Sequence, residues 1–348
     1  MSKGTFKVGI TRDALRADGQ PVFDPAALKI FDAEPNLKWE FLPELGKELT
    51  AAHGAGYDGL CVLGARVTAD TLAGGRVAII ARHGVGYDSV DVPACTANGV
   101  LLTITPDGVR RPVATSILTL ILALSHKLFT KDRLTRTGRW KETTSHMGEG
   151  LTGKVLGSIG MGNIGREMFR MVAPLEMVHI AYDPLASEDQ ARSLNVRLTD
   201  FDSVLRTADF VAINCPLSEQ TRHLIDARAL GLMKGSAYLI NTARGPIVDE
   251  AALYAALIEK RIAGAALDVF EQEPTPDDNP ILKLDNVITT PHSLCWTDEC
   301  FRLIAEGAFR SVVAVARGEL PVNVVNREVL NQDRLKQRLA AYRAARSS

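Results

Sequence analysis

The sequence of 348 residues has few cysteines, and they form no recognisable pattern. They are odd in number and scattered, with no C-x-x-C pair, so neither a disulfide framework nor a metal site is predicted. The formal net charge of −1 provides no basic field for nucleic acid and no charge pattern for lipid. The cysteines are Cys61, Cys95, Cys215, Cys295 and Cys300.

Long hydrophobic runs are also scarce. The longest, residues 113–124, is interrupted by threonine and serine and is short for a bilayer, which predicts a buried helix rather than a membrane span. The opening MSKGTFKVGI lacks the hydrophobic core of a signal peptide. We therefore expect a soluble cytoplasmic protein. Neither an internal repeat nor a low-complexity segment is evident.

The length predicts two domains, each large enough to bury its own core. In the first part, apolar strand-like runs alternate with helix-length segments, which predicts a parallel, doubly wound α/β sheet. A helix after Asp91, with Pro93 in its first turn and an end at Gly99, fits the usual capping chemistry. The predicted strands are 6–11, 38–42, 59–63, 77–81 and 100–104.

A second doubly wound unit is predicted from residue 155 onward. It sits in mid-chain, so the first unit must be completed by the C-terminal segment, with crossings near 105–111 and 292–297 that could form a hinge around a cleft. We therefore predict a flavodoxin-like domain of residues 1–108 and 297–348, with a Rossmann domain of residues 109–296 inserted into it. Its predicted strands are 155–159, 178–182, 210–214, 237–241, 263–269 and 287–290, with helices over 249–261 and 297–317 and a polar tail from Asn326.

A glycine fingerprint follows the strand 155–159. Gly160, Gly162 and Gly165 have the G-x-G-x-x-G spacing, and Asn163 and Ile164 complete it before a helical run. The glycines permit a tight turn, close approach of a pyrophosphate and close helix packing, and the helix N-terminus favours anions.

Context strengthens this weak motif. Asp183 ends the next predicted strand, eighteen residues after Gly165, close to the ~20 expected for an acid that binds the adenosine ribose. A carboxylate there accepts hydrogen bonds from a 2′-hydroxyl and repels a 2′-phosphate. We therefore predict NAD rather than NADP as the cofactor.

Three further residues lie at or just beyond the carboxyl ends of predicted strands. Arg244 could bind a carboxylate with two hydrogen bonds, His292 could exchange a proton near neutral pH, and Glu273 beside it would raise the histidine pKa. Taken singly, each also fits a surface or core role. The loop His83-Gly84-Val85-Gly86 follows another strand and could present its amides to an anion, although a plain turn fits the residues as well.

These motifs together resemble the D-isomer-specific 2-hydroxyacid dehydrogenase family, which includes phosphoglycerate dehydrogenases and glyoxylate or hydroxypyruvate reductases. The resemblance covers nearly the whole chain, through GVGYDSVDV, GSIGMGNIG, NTARGPIVDEAAL, AALDVFEQEP, TTPH and ELPVNVVN. It implies that Arg244, Glu273 and His292 are catalytic and that the Gly84, Val85 and Gly86 amides hold the substrate carboxylate. It also implies that Asp268 lies near the nicotinamide, that Pro216, Thr242 and Ala243 line the cofactor cleft, and that the protein is a homodimer through its NAD domain.

The implied reaction transfers hydride between NAD(H) and a D-2-hydroxy acid or 2-oxo acid pair, with no metal. Two other functions remain open: an NADH-responsive co-regulator of the same fold, and a phosphite dehydrogenase. Formate oxidation is disfavoured, because formate dehydrogenases place a glutamine where Glu273 stands. The sequence does not identify the 2-hydroxy acid.

Two stretches depart from the family pattern. Arg110 and Arg111 stand before the long apolar helix, where uncharged residues are commoner; they fit a solvated helix start, or a site for a dianionic substrate. After His292 the family usually has small residues, whereas this chain has Leu294, Cys295 and Trp296. That bulk could reshape the substrate pocket, or Trp296 could pack as a core residue.

Overall fold

The computed structural model describes residues 5–43 and 48–346. The strands are β1 Phe6–Ile10, β2 Leu37–Phe41, β3 Glu48–Leu49, β4 Gly59–Val62, β5 Arg66–Val67, β6 Ile79–Arg82, β7 Leu101–Thr103, β8 Val155–Ile159, β9 Val178–Tyr182, β10 Val196–Leu198, β11 Phe210–Ile213, β12 Tyr238–Asn241, β13 Gly264–Leu267 and β14 Val287–Thr289. The helices are α1 Lys29–Asp32, α2 Ala51–Gly56, α3 Ala69–Leu72, α4 Val92–Ala97, α5 Pro106–Ser125, α6 Leu128–Arg136, α7 Asn163–Val172, α8 Glu188–Arg192, α9 Phe201–Thr207, α10 Ala227–Leu232, α11 Glu250–Ile258, α12 Asp298–Ala316 and α13 Asp333–Arg346.

The chain forms two compact units. The first comprises Met1–Val109 with Thr297–Ser348, and the second comprises Arg110–Trp296. The boundaries predicted from the sequence were 108/109 and 296/297. Which unit binds the substrate and which binds the cofactor depends on the side chains that each unit presents.

The first unit is built on a five-stranded parallel sheet in the order β2-β1-β4-β6-β7. This is the doubly wound order of flavodoxin-like folds, whose strand order reverses between the first and third strands. Buried Leu60, Val62 and Ile80 on neighbouring strands form part of one core cluster. Asp91 caps α4 as predicted, because its carboxylate accepts a hydrogen bond from the Ala94 N–H at 2.8 Å.

The C-terminal segment belongs to the first unit. Helix α12 packs against β4 and β6. Within the predicted polar tail, residues 333–346 form helix α13 with Leu335 and Leu339 buried. The Arg338 guanidinium on this helix donates to the carbonyl oxygens of Val77 and Gly75. Buried leucines and a side chain that bonds buried backbone explain why so polar a segment is ordered.

The second unit contains a seven-stranded parallel sheet in the order β10-β9-β8-β11-β12-β13-β14. The order runs outward in both directions from β8, which is the Rossmann arrangement with its switch point between β8 and β11. Two apolar clusters form the core of this unit. The predicted fold class, two doubly wound parallel sheets, is confirmed. The short strands β3, β5 and β10 were not predicted, because two or three residues show no periodicity.

Helix α5 is longer than the predicted apolar run. Its 20 residues make it long and apolar enough to cross a membrane by length and composition, whereas 61% of its most apolar window is buried in the protein. Ile117, Leu120, Ile121 and Leu124 belong to the core cluster they share with β8 and α7. The core helix of a soluble protein passes the same test, so this helix is weak evidence for a membrane, and the cytoplasmic location stays a prediction.

Candidate active site

The glycine fingerprint forms the turn between β8 and α7. Gly160 has φ +96°, and a Cβ there would lie 2.7 Å from the backbone of Asn214 and Cys215. A Cβ on Gly165 would lie 2.8 Å from the Gly160 carbonyl oxygen, whereas one on Gly162 would meet nothing within 4 Å. Gly162 caps the N-terminus of α7. The open side of the turn therefore lies at Gly162, where unpaired helix N–H groups can bind a pyrophosphate, and these residues fit a dinucleotide.

Asp183 follows β9 beside this turn. Its carboxylate accepts hydrogen bonds from the Met161 N–H at 2.7 Å and the Leu185 N–H at 2.8 Å. The first of these bonds links the acid directly to the glycine turn. The predicted ribose-binding carboxylate is thus fixed next to the predicted pyrophosphate site.

Three other predicted cofactor residues follow the carboxyl ends of β11 and β12; β11 pairs with β8, and β12 is the next strand in the sheet. Pro216 stands three residues after β11, and its carbonyl oxygen accepts a hydrogen bond from the Thr221 hydroxyl at 2.7 Å. Thr242 and Ala243 follow β12, and the Ala243 N–H donates to Asn241 Oδ1 at 3.0 Å. All of them therefore lie at the sheet edge where doubly wound folds bind ligands.

His292 and Glu273 form a hydrogen-bonded pair. The distance between His292 Nδ1 and Glu273 Oε2 is 2.7 Å. The other carboxylate oxygen, Oε1, accepts a hydrogen bond from the Phe270 N–H at 2.9 Å, which fixes the orientation of the carboxyl group. The His292 backbone has φ +53°, in the left-handed region that few non-glycine residues adopt. Backbone strain of this kind occurs often at functional sites.

The pair shifts both titrations in the direction expected of an ion pair. The hydrogen bond that His292 donates to Glu273 raises the pKa of His292 above its usual 6.5, against burial and the neighbouring positive charge of Arg244. Burial would raise the pKa of Glu273, but the hydrogen bonds from His292 and Phe270 and the charges of His292 and Arg244 together lower it. An imidazolium beside a carboxylate is therefore favoured to higher pH than in a free histidine.

Arg244 lies close enough to both groups to affect their pKa values. Its Nη1 donates to the carbonyl oxygen of Ala243 at 2.6 Å, and its own carbonyl oxygen accepts from Asn241 Nδ2 at 2.9 Å. Gly245 follows, and a Cβ there would lie 1.8 Å from the Phe270 carbonyl oxygen. Only glycine allows this approach, so the Arg244 segment packs directly on the segment that leads to Glu273.

Asp268 has a role in the structure that the sequence did not predict. It is buried, and its Oδ1 accepts hydrogen bonds from the Thr290 hydroxyl at 2.6 Å and the Ser293 N–H at 3.0 Å. Both Asp268 oxygens also lie within 3.3 Å of the Leu294 nitrogen. Asp268 therefore holds the loop that carries His292 from both sides. Its predicted place beside a nicotinamide stays a prediction.

The predicted carboxylate-binding loop belongs to the first unit. Gly84 has φ +117°, but its N–H already donates to the Thr105 hydroxyl at 2.8 Å, so only the amides of Val85 and Gly86 remain as candidates for an anion. His83 is buried before the loop, where burial and then the charge of Arg82 lower its pKa to about 3. This histidine is therefore neutral at physiological pH and adds no positive charge to the loop.

Arg110 and Arg111, which depart from the family pattern, both lie near the carboxylate of Glu167. Arg111 Nη1 lies 3.0 Å from Glu167 Oε1, and Arg110 Nε lies 3.9 Å from Glu167 Oε2. Glu167 is buried on α7 and also pairs with Arg170 Nη1 at 3.2 Å, so its single negative charge offsets only part of the positive charge of these guanidiniums. Both arginines therefore have a structural partner, and a site for a dianionic substrate stays an alternative. Trp296 is 55% exposed, which does not fit the alternative that it packs as a core residue.

Two other chemical possibilities have no support in residues 5–43 and 48–346. No group of three or more histidine, cysteine or acidic side chains could hold a metal ion there. Burial raises the pKa of the Cys215 thiol, which lies beside the glycine turn, to about 11. Its thiolate is therefore scarce at neutral pH, and a nucleophilic role is disfavoured.

Sequence reasoning missed His223 and Glu250, which contact the segments carrying Arg244 and Glu273. His223 pairs with Glu271, and Glu250 accepts a hydrogen bond from the Glu271 N–H at 3.1 Å. The sequence offered little signal for either residue, because the partners are 48 and 21 residues apart.

Comparisons with known proteins identify the family of this chain. Residues 118–293 match the family model described as D-isomer specific 2-hydroxyacid dehydrogenase, NAD binding domain. The chain is 40% identical to a glyoxylate reductase of Thermofilum pendens over 78% of this chain and 81% of the relative. It is 34% identical to a glyoxylate reductase of Pyrococcus horikoshii over 93% of this chain and 97% of the relative.

A solved structure shows the same architecture. D-lactate dehydrogenase from Aquifex aeolicus, complexed with NAD and lactic acid, is similar with a TM-score of 0.78 and 26% identity, covering 92% of this chain and 99% of that one. The fingerprint geometry, the matched domain and the relatives together support NAD as the cofactor. The chain therefore belongs to the D-isomer-specific 2-hydroxyacid dehydrogenases and is an NAD-dependent enzyme of that family.

Proposed function

We propose that this enzyme interconverts a small 2-oxo acid and the D-2-hydroxy acid, with His292 as acid and base, Glu273 as its partner and Arg244 as the carboxylate-binding residue. The observation that supports this most strongly is the 2.7 Å contact between His292 Nδ1 and Glu273 Oε2, with the Arg244 charge next to both. All three side chains belong to the unit that contains the NAD-binding fingerprint.

The proton path follows from the tautomer that this contact selects. A carboxylate only accepts hydrogen bonds, so Nδ1 carries the proton that points at Glu273, and Nε2 is the nitrogen that exchanges a proton with substrate. In reduction, His292 Nε2–H donates to the carbonyl oxygen and Glu273 stabilises the imidazolium beforehand. In oxidation, neutral Nε2 takes the hydroxyl proton. NADH, when bound, supplies the hydride for the carbonyl carbon.

Arg244 has the chemistry to orient the substrate. A guanidinium offers two parallel N–H donors to a carboxylate, which fixes direction as well as distance. The hydrogen bond from Nη1 to the Ala243 carbonyl reduces the motion of the side chain. A positive charge here also holds the Glu273 pKa down, so the partner of His292 stays ionised. The amides of Val85 and Gly86 in the other unit stay a prediction as a second carboxylate-binding element.

We propose that the substrate is a small 2-oxo acid of the glyoxylate type. The two relatives compared above by sequence are named glyoxylate reductases. Glu167 pairs with Arg110 and Arg111, which gives both arginines a structural partner other than a phosphorylated substrate. Leu294 and Trp296 add bulk to the loop after His292.

The test is NADH consumption with glyoxylate, hydroxypyruvate, pyruvate, branched and aromatic 2-oxo acids and 3-phosphohydroxypyruvate. We expect kcat/KM to be highest for glyoxylate or hydroxypyruvate. A preference for 3-phosphohydroxypyruvate would refute the substrate class. Absence of turnover with every member would refute the proposed reaction and favour a co-regulator, while phosphite-dependent NAD reduction would favour a phosphite dehydrogenase.

We also propose that the enzyme is a homodimer through its NAD-binding unit. Large apolar side chains are exposed on α6 and the 3-10 helix that follows it: Leu128 is 55% exposed, Phe129 58% and Trp140 69%. Exposed apolar patches commonly mark protein interfaces, and a second copy of this chain offers the same patch.

The predicted effect of Phe129→Lys combined with Trp140→Lys is a shift from dimer to monomer in light scattering after size exclusion. The matched control is Val322→Lys, which changes a side chain that is 72% exposed in the first unit. A monomeric wild type, or a double variant that stays dimeric, would refute this interface.

A further inference from the structure

His223 contacts both segments that carry the proposed catalytic residues. It lies in the loop between β11 and α10, and its backbone N–H donates to the Pro246 carbonyl oxygen at 2.8 Å. Its Nε2 pairs with the Glu271 carboxylate. Pro246 is two residues after Arg244, and Glu271 is two residues before Glu273. One residue therefore links the two segments from outside the reacting groups.

The neighbouring contacts make these segments one block. Residue Ile225 continues the same loop and pairs with Val248 as a parallel bridge. Glu250 accepts a hydrogen bond from the Glu271 N–H at 3.1 Å and another from Asn279 Nδ2 at 2.6 Å. The Glu271 backbone is thus held by Glu250, and its carboxylate is held by His223. Glu271, two residues before Glu273, is therefore held through both its backbone and its side chain.

The backbone of His223 indicates that this position is specified by its contacts. Its φ of +51° is in the left-handed region, which costs a non-glycine residue free energy and persists only where the surroundings hold it. The side chains of His223 and Glu271 are 45% and 34% exposed. Ion pairs this exposed contribute little to global stability, so the contact has little value as a general stabiliser.

We propose that His223 is a positioning residue for the dehydrogenase reaction. It holds the turn at Glu271 against the segment of Arg244, and so keeps the Glu273 carboxylate directed at His292 Nδ1. This inference depends on the proposed function, because it assigns His223 an effect that acts only through Glu273 and His292. A small displacement of a group that positions a catalytic residue can lower the rate strongly.

The test is His223→Ala, with Glu271→Ala and the double variant. We expect His223→Ala to lower kcat for 2-oxo acid reduction about 10-fold and to leave NADH affinity unchanged. The alkaline limb of the pH profile moves to lower pH, because a looser Glu273 raises the His292 pKa less. The double variant lowers kcat no more than the single variant with the larger effect, as expected for two residues in one contact. His223→Gln keeps an N–H donor and restores most of the rate.

The matched control is Arg228→Ala. It breaks an ion pair with Asp202 in the same unit, at 3.0 Å for both contacts, with side chains 60% and 40% exposed. We expect wild-type kcat, pH profile and His292 titration from this control. A second readout needs no turnover: the His292 ring is titrated by NMR in the enzyme without cofactor. We expect the midpoint of this titration to lie at lower pH in His223→Ala than in wild type.

Two sets of results separate this inference from the proposed function. If His223→Ala matches Arg228→Ala in kcat, pH profile and His292 titration, the positioning role is refuted, even if the melting temperature falls. In that case loss of activity in a His292 variant would still support the proposed reaction. If the His292 variant keeps full activity, the proposed function fails whatever the result at position 223.

Discussion

Replacing His292 by alanine lowers kcat about 10² to 10⁴-fold in both directions of the reaction, the usual loss when a general acid or base is removed. The remaining rate comes from the bound reactants and Arg244, with water as the proton source. Binding of NADH should change little, because His292 is not among the residues of the glycine turn. The measurement is steady-state NADH oxidation with the best 2-oxo acid, with NADH affinity measured by fluorescence.

A second variant separates chemistry from folding at this position. Because His292 has φ +53°, asparagine is the best-tolerated replacement, since it adopts left-handed backbone more readily than most residues. Asparagine cannot exchange a proton near neutral pH, so His292→Asn should lose as much activity as the alanine variant. Wild-type kcat in either variant across the pH range would contradict the acid and base assignment.

Replacing Arg244 by lysine lowers kcat/KM for the 2-oxo acid about 10² to 10³-fold, although the positive charge is kept. Lysine has no planar pair of donors, so the two parallel hydrogen bonds to the carboxylate are lost. We expect both a higher KM for the 2-oxo acid and a lower kcat, because the carbonyl is no longer held toward His292. Affinity for NADH is the internal control.

The lysine variant also tests the substrate model. If kcat/KM falls less than about 3-fold, a bidentate arginine contact worth several kcal/mol is absent, and another group must bind the carboxylate. Val85 and Gly86 would then be the first candidates. A large rise in KM for NADH would instead place Arg244 in the cofactor site.

Much of the fold could be predicted from local pattern. The bounds of β8 and β9 are those that the apolar runs predicted, since buried parallel strands consist of continuous apolar residues. Helix α13 was missed, because two buried leucines, Leu335 and Leu339, are diluted by charged neighbours. Its order depends on contacts with distant backbone, such as Arg338 with Gly75 and Val77, which no local pattern encodes.

In the candidate site too, some residues could be predicted from local pattern, whereas others depend on distant contacts. Arg244, Glu273 and His292 were predicted because each lies at or beyond the end of a strand and has a chemical type suited to the proposed reaction. His223 was missed, because its partner Glu271 is distant in the sequence. Asp268 was predicted near the nicotinamide, but its hydrogen bonds to backbone about 25 residues away were not predicted. The engagement of the Gly84 N–H by Thr105 could not be anticipated either, because it depends on how β6 and β7 pair.

The pH dependence of kcat/KM in wild type and Glu273→Gln tests the pairing of His292 with Glu273 most directly. Reduction requires protonated His292, so its rate falls as pH rises through the His292 pKa, which Glu273 holds above 6.5. Oxidation requires the neutral ring and falls as pH drops through the same pKa. With a neutral glutamine the pKa falls, so we predict that both limbs move to lower pH. Limbs that stay at their wild-type pH in Glu273→Gln would contradict the central claim.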